Sequence, residues 1–199
     1  TLESHGRPDL FDDVDTTRLV GWCTSQFPLR LTVDAAASGI DAIKSIKEQV
    51  RSVPHLGVGF GVLSYLADAE IGAGLRAFPS PPVLFNYLGQ VSGMVTADAS
   101  WMPVLDGVPG DVSPTQERSH LLEVNAMVAE GALSVTWSYS TEEFLPTTIE
   151  RLAATSITEL HELVSATASA SGPQFTPSDF PAARIDQDAL AVLLGQLGA

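Results

Sequence analysis

A single cysteine, Cys23, leaves no partner for an internal disulfide. No run of about 18 apolar residues and no basic-then-apolar leader occurs, which reads as a soluble cytoplasmic protein. Basic residues are scarce. Ten Lys and Arg stand against 24 Asp and Glu, for a net charge of −14. A nucleic-acid backbone or an anionic membrane surface would be repelled, so partners are expected to be neutral, small or locally basic. The four histidines, His5, His55, His120 and His161, have no second ligand at metal spacing, which argues against a zinc site. "GVGFG" at 57–61 lacks the third glycine of a dinucleotide fingerprint, which would fall at Val62, and it follows a helical pattern instead of a strand. No internal repeat appears.

What is present describes a packed domain. Apolar residues make up 45% of the 199 and charged ones 17%, enough for one sizeable core with a tail. The opening "TLESHGRPDLF" reads as the end of a strand. "TRLVGWCTSQFPLRLTV" (17–33) predicts two short strands or one bent strand, in which a lone Cys23 is more naturally a small core residue than a nucleophile. Ile40, Ile43, Ile46, Val50 and Val53 recur at helical spacing behind Ser38 as N-cap and ahead of Pro54, predicting a helix over 39–53. "VLSYLADA" (62–69) predicts a shorter helix, "PPVLFNYLGQV" a strand, and 92–118 a loop-like stretch. "HLLEVNAMVAEGALSVTWSYS" alternates about Glu130-Gly131, a long hairpin with Leu122, Val124, Ala126 and Val128 on one face. Ile149, Leu152, Ala153, Ile157, Leu160 and Val164 form one stripe of a helix over 143–168 that is expected to cover the sheet. Beyond about 170 the composition turns to Ser, Pro, Gly and Asp before a short apolar helix, as a linker would.

Two stretches carry polar groups that composition does not explain. "ESHGR" (3–7) is either a solvated turn or part of a site. "FNYLGQ" (85–90) sets an amide and a phenol side by side on an otherwise core-like strand. Burying either group unpaired costs roughly 1–3 kcal/mol, so the fold or a substrate must supply the partner.

In order along the chain, "ESHGRPDLF", "TTRLVGWCTSQFPLRL", "IKSIKEQVRSVPHLGVGFGVLSYL" and "VLFNYLGQ" resemble four successive motifs from the C-terminal half of nonribosomal peptide synthetase epimerization domains. The family patterns are EGHGRE, VGWFTxxFP, PxxGxGYG and FNYLGQ or FNYLGR. Ser4, Pro8, Cys23 and Phe60 depart from them, while Glu3, His5, Gly6, Arg7 and all of FNYLGQ match. Sibling condensation domains carry GxFVNT at the second place, so "VGWCTSQFP" and "PHLGVGFG" favour epimerization. The family's HHxxxDG motif, borne by an N-terminal lobe, does not occur here. The chain is therefore read as the second lobe of a two-lobe domain, either a proteolytic product or one part of a divided domain.

The resemblance implies an α/β fold of α+β sandwich type: a chloramphenicol-acetyltransferase-like lobe with a mixed, mostly antiparallel sheet and helices packed on it. Residues 1–170 would form the lobe and 171–199 a linker with a terminal helix. It also implies conversion of a carrier-bound L-aminoacyl or peptidyl thioester to its D epimer. The missing lobe's histidine and Glu3 would serve as acid and base on opposite faces of Cα. Asn86 or Tyr87 would donate to the thioester or its enolate, and His5, Arg7, Trp22, Gly59 and Phe60 would support the channel. A glutamate in this role is expected to be partly desolvated. No cofactor is expected on the lobe; the substrate would arrive on the phosphopantetheine arm of a peptidyl carrier domain, with the N-terminal lobe and adjacent synthetase domains as further partners. Two other readings stay open: a noncatalytic lobe that binds a carrier domain, and a condensation domain that forms peptide bonds.

Overall fold

The computed structural model describes residues 1–7, 10–91, 116–170, 172 and 174–197. Five strands form one sheet in the order β2-β1-β3-β4-β5: β1 (Leu2–Ser4), β2 (Ser25–Phe27), β3 (Val83–Gln90), β4 (Leu122–Ala129) and β5 (Ala132–Tyr139). The sheet is mixed, as expected. It is antiparallel only at its two edges, β1 with β2 and β4 with β5; the central pairings, β1 with β3 and β3 with β4, are parallel. Counted by paired residues the sheet is nonetheless mostly antiparallel, as expected. Parallel neighbours require long crossovers, and α1 (Gly39–Arg51), α2 (Val58–Tyr65) and α3 (Ala69–Arg76) occupy the one between β2 and β3.

Local chemistry fixes the best-patterned elements. Ser38 caps α1, its hydroxyl accepting from the Asp41 N–H at 3.2 Å, and Pro54 opens a single 3-10 turn (Pro54–Gly57) after the helix ends. Glu130 and Gly131 both take positive φ, 52° and 79°, the pair a two-residue primed turn requires between twisted strands. Leu122, Val124 and Ala126 are buried on one face of that hairpin. Leu122 and Val124 meet Ile149 of α4 (Pro146–Ser169), with Val135, Trp137, Tyr139 and Phe144 packed around them. Phe27, 4% exposed, fills the same face at the other edge, where its ring lies so close to Gly57 that a Cβ there would come within 2.0 Å.

Several expectations need correction. Of residues 17–33 only Ser25–Phe27 pairs as a strand, an edge strand in register with Leu2–Ser4 of β1. Cys23 accordingly sits half-buried just ahead of the strand rather than within it. α2 begins earlier than expected, at Val58 within "GVGFG", and the expected helix over 62–69 straddles a 114° bend between α2 and α3. The stripe on α4 does not lie on the sheet along its length. Only Ile149 is buried, Ile157, Leu160 and Val164 are exposed, and the far half of α4 passes α1, where Leu163 meets Gly39. β3 is not buried core either: the contacts of α2 fall on β2 and those of Ile149 on β4, which leaves Phe85 and Tyr87 between them exposed. The loop expected over 92–118 falls almost wholly outside the described residues.

After α4 the chain returns to α1. Asp179 accepts from Lys47 Nζ at 2.5 Å and Arg51 Nη1 at 2.7 Å, and the Ser178 N–H donates to Glu48 at 3.2 Å. Thr176 beside them is fully buried. The terminal α5 (Gln187–Leu197) buries Leu190.

Candidate functional site

Register places the polar residues. β1 and β2 set Glu3 opposite Gln26, and the Gln26 amide donates to Glu3 Oε1 at 2.6 Å. Leu2 pairs with Phe85 in parallel, so the next residues along, Glu3 and Asn86, are neighbours on one face of the sheet. Asn86 in turn pairs with Asn125, and Asn125 with Thr136. Tyr87 belongs by alternation to the opposite face. The ladder shifts between Tyr87 and Gln90, where Gly89 takes φ +76°, and the strand end turns there.

A cavity of about 660 Å³ opens at the ends of β1 and β3 and gathers Glu3, His5, Arg7, Trp22, Asn86 and Tyr87 around one space. Glu3 is half-buried. The Asn86 carboxamide, half-buried, and the Tyr87 hydroxyl, on a ring 54% exposed, have no hydrogen-bond partner among the described residues. The fold thus leaves both groups open to the cavity.

The loop after Glu3 is built, not merely solvated. Gly6 takes φ +65°, and a Cβ there would come within 1.4 Å of the Cys23 carbonyl oxygen, so no larger residue fits. Arg7 Nη2 donates to the carbonyls of Leu19 and Gly21, each at 3.3 Å, and ties the "LVGW" segment to the strand end. His5 Nδ1 accepts the Arg7 N–H at 3.1 Å, which holds the turn. Trp22 is 94% exposed, and its indole stands at the cavity rim. Gly59 lies on α2 with no atom near its missing side chain and lines neither cavity.

Phe60 lines a second space of about 770 Å³, which shares Glu3 and Trp22 with the first. Its wall holds three buried polar atoms with no partner among the described residues: Ser25 Oγ, Ser64 Oγ and His120 Nδ1. Burial pushes the His120 imidazole below its usual pKa, and its Nε2 lies 2.9 Å from Thr1 Oγ1. Among the described residues no three His, Cys, Asp or Glu side chains gather to hold a metal ion. Sequence reading missed Gln26 and Asn125. Gln26 was legible in principle, since alternation with the buried Phe27 turns it to the other face; Asn125 acquires meaning only through its pairing with Asn86.

A family model for the condensation domain matches residues 1–185. A linear gramicidin synthase of Brevibacillus parabrevis is 40% identical over 196 residues, 98% of this chain and 2% of that protein. Chondramide synthase cmdD of Chondromyces crocatus is 37% identical over 203 residues, 100% of this chain and 5% of that protein. The crystal structure of the epimerization domain from the third module of tyrocidine synthetase B superposes with a TM-score of 0.70 at 32% identity, covering 83% of this chain and 36% of that one. The chain thus spans a small fraction of the synthases it resembles and about a third of the solved domain.

Proposed function

Since the chain belongs to the condensation-domain family of nonribosomal peptide synthetases, we propose that it is the C-terminal lobe of an epimerization domain, inverting Cα of an aminoacyl or peptidyl thioester held on a carrier domain. The observation that carries this reading is the meeting of the Glu3 carboxylate around one cavity with the Asn86 amide and Tyr87 hydroxyl, both without a hydrogen-bond partner among the described residues.

The chemistry needs those three kinds of group. Breaking the Cα–H bond leaves its electron pair on an enolate-like thioester, and a proton must then return from the opposite face. Glu3 exchanges the proton on one face, and an acid/base group of the other lobe serves the second. Gln26 holds the carboxylate in place by donating to Oε1, leaving Oε2 for the proton. Asn86 and Tyr87 are donors placed to stabilise charge on the thioester oxygen, where a fixed dipole acts without reorganising. The substrate would arrive on a phosphopantetheine arm, which needs no cofactor site on the lobe itself.

The test is to join this lobe to an HHxxxDG-bearing lobe and incubate the joined domain with a carrier-bound L-aminoacyl or L-peptidyl thioester. D-product and solvent-deuterium incorporation at Cα support epimerization. The rival reading is peptide-bond formation, which membership of the condensation-domain family equally accommodates; a new peptide bond to a second carrier-bound amino acid, with Cα unexchanged, would establish it instead.

A further inference from the structure

The residues level with Glu3 across the sheet, Asn86 by extension of the Leu2–Phe85 pair and the others by direct pairing, are all polar. Gln26, Glu3, Asn86, Asn125 and Thr136 form one row, one residue from each strand, on a single face. The helix contacts that close the core, Gly57 on Phe27 and Ile149 on Leu122 and Val124, fall on the opposite face. Gln26 is taken up by Glu3. Asn125 is half-buried like Asn86, and its carboxamide also has no hydrogen-bond partner among the described residues. Two adjacent carboxamides, each with two N–H donors and an acceptor oxygen, therefore lie beside the carboxylate in partial burial and unused.

We propose that Asn125 is a specificity-determining residue that hydrogen-bonds a peptide group of the substrate upstream of the epimerised residue, so that the lobe acts on peptidyl rather than aminoacyl thioesters. The inference rests on the epimerization reading and names the substrate class for it. Spacing carries it. Neighbouring strands lie about 4.8 Å apart, which puts Asn125 about 10 Å from Glu3, and an extended peptide advances about 3.3 Å per residue. A chain whose Cα–H meets Glu3 and which runs along the row reaches Asn125 with its second or third residue upstream. An aminoacyl group ends at its own nitrogen, about 1.5 Å from Cα, and cannot reach. Charge agrees. Beyond Glu3 the row offers neutral amides and a hydroxyl, which suit a neutral peptide chain, and the nearby carboxylate of Glu123 is engaged by Arg118 at 3.3 Å rather than left to meet a substrate ammonium.

The experiment uses the joined two-lobe domain and a ladder of carrier-bound thioesters from aminoacyl to tetrapeptidyl. In the unaltered protein kcat/KM should rise about tenfold at the rung whose chain first reaches Asn125, the worth of one buried hydrogen bond. Asn125→Ala should remove that step and leave the aminoacyl rate within about twofold. Thr136→Val, about 14 Å from Glu3 and beyond the reach of a tetrapeptidyl chain, should leave every rung unchanged. A flat ladder in an active unaltered domain overturns the proposal even if Asn125→Ala fails to fold, and so does equal loss on every rung in a folded variant. An unaltered domain inactive on all rungs overturns the epimerization reading, and this inference with it.

Discussion

Glu3 presents one carboxylate oxygen to the Gln26 amide and leaves the other to the cavity, an arrangement that orients a proton-transfer group without consuming it. In the joined domain Glu3→Gln keeps shape and hydrogen-bonding capacity but cannot carry the proton, so epimerization should fall by about 10²-fold or more while folding survives. Deuterium washout from L- and D-substrates should change unequally, because one direction loses proton removal and the other proton return. Equal small changes in both directions would make Glu3 a turn residue. Gly6 makes a structural prediction at the same scale. With φ at +65° and the Cys23 carbonyl where a Cβ would stand, Gly6→Ala should destabilise the lobe by more than about 1 kcal/mol and shift its urea midpoint downward. An unshifted midpoint would mean that the "ESHGR" loop relaxes freely.

Among the elements, α1 carries the clasp on the returning chain. Hydrogen bonds from Lys47, the Thr176 N–H and Arg51 hold the Asp179 carboxyl well below the usual carboxylate range. At Glu48 burial pushes the carboxyl up, but hydrogen bonds from Ser178 and Thr176 and the Lys47 charge outweigh it and leave a net lowering. A depressed carboxylate contributes stability that is full above its unfolded pKa of about 3.9 and is lost as pH falls toward the lower folded value. Asp179→Asn should therefore lower the urea midpoint at pH 7, and the gap to the unaltered protein should narrow as pH drops below about 4. Limited proteolysis should meanwhile cut the variant sooner near residues 170–180. A gap constant from pH 7 to pH 2 would show that the Asp179 charge contributes nothing to the clasp.

At the scale of the whole molecule, Trp22 at 94% exposure and Val20 at 98% are apolar surfaces that the described residues leave to solvent. If Glu3 serves one face of Cα and a group of the other lobe serves the second, the 199-residue chain alone should show no epimerization of a carrier-bound L-thioester. Appreciable D-product from the isolated chain, measured by chiral analysis after release, would refute the two-lobe division of labour.

The sequence by itself determined what depends on local chemistry. Ser38 and Pro54 bound α1, Glu130-Gly131 turns the hairpin, alternation buries Leu122, Val124 and Ala126, and the motifs name the residues that meet in the cavity. Tertiary structure decided what depends on pairing between distant segments. Of residues 17–33 only Ser25–Phe27 finds a strand partner, in register with Leu2–Ser4 of β1. α4 turns most of its apolar stripe away from the sheet because its far half runs past α1. Glu3 acquires Gln26, Asn86 and Asn125 as neighbours only through a parallel register that no periodicity within one strand encodes, since strand alternation specifies which face a residue takes and not which residue lies beside it.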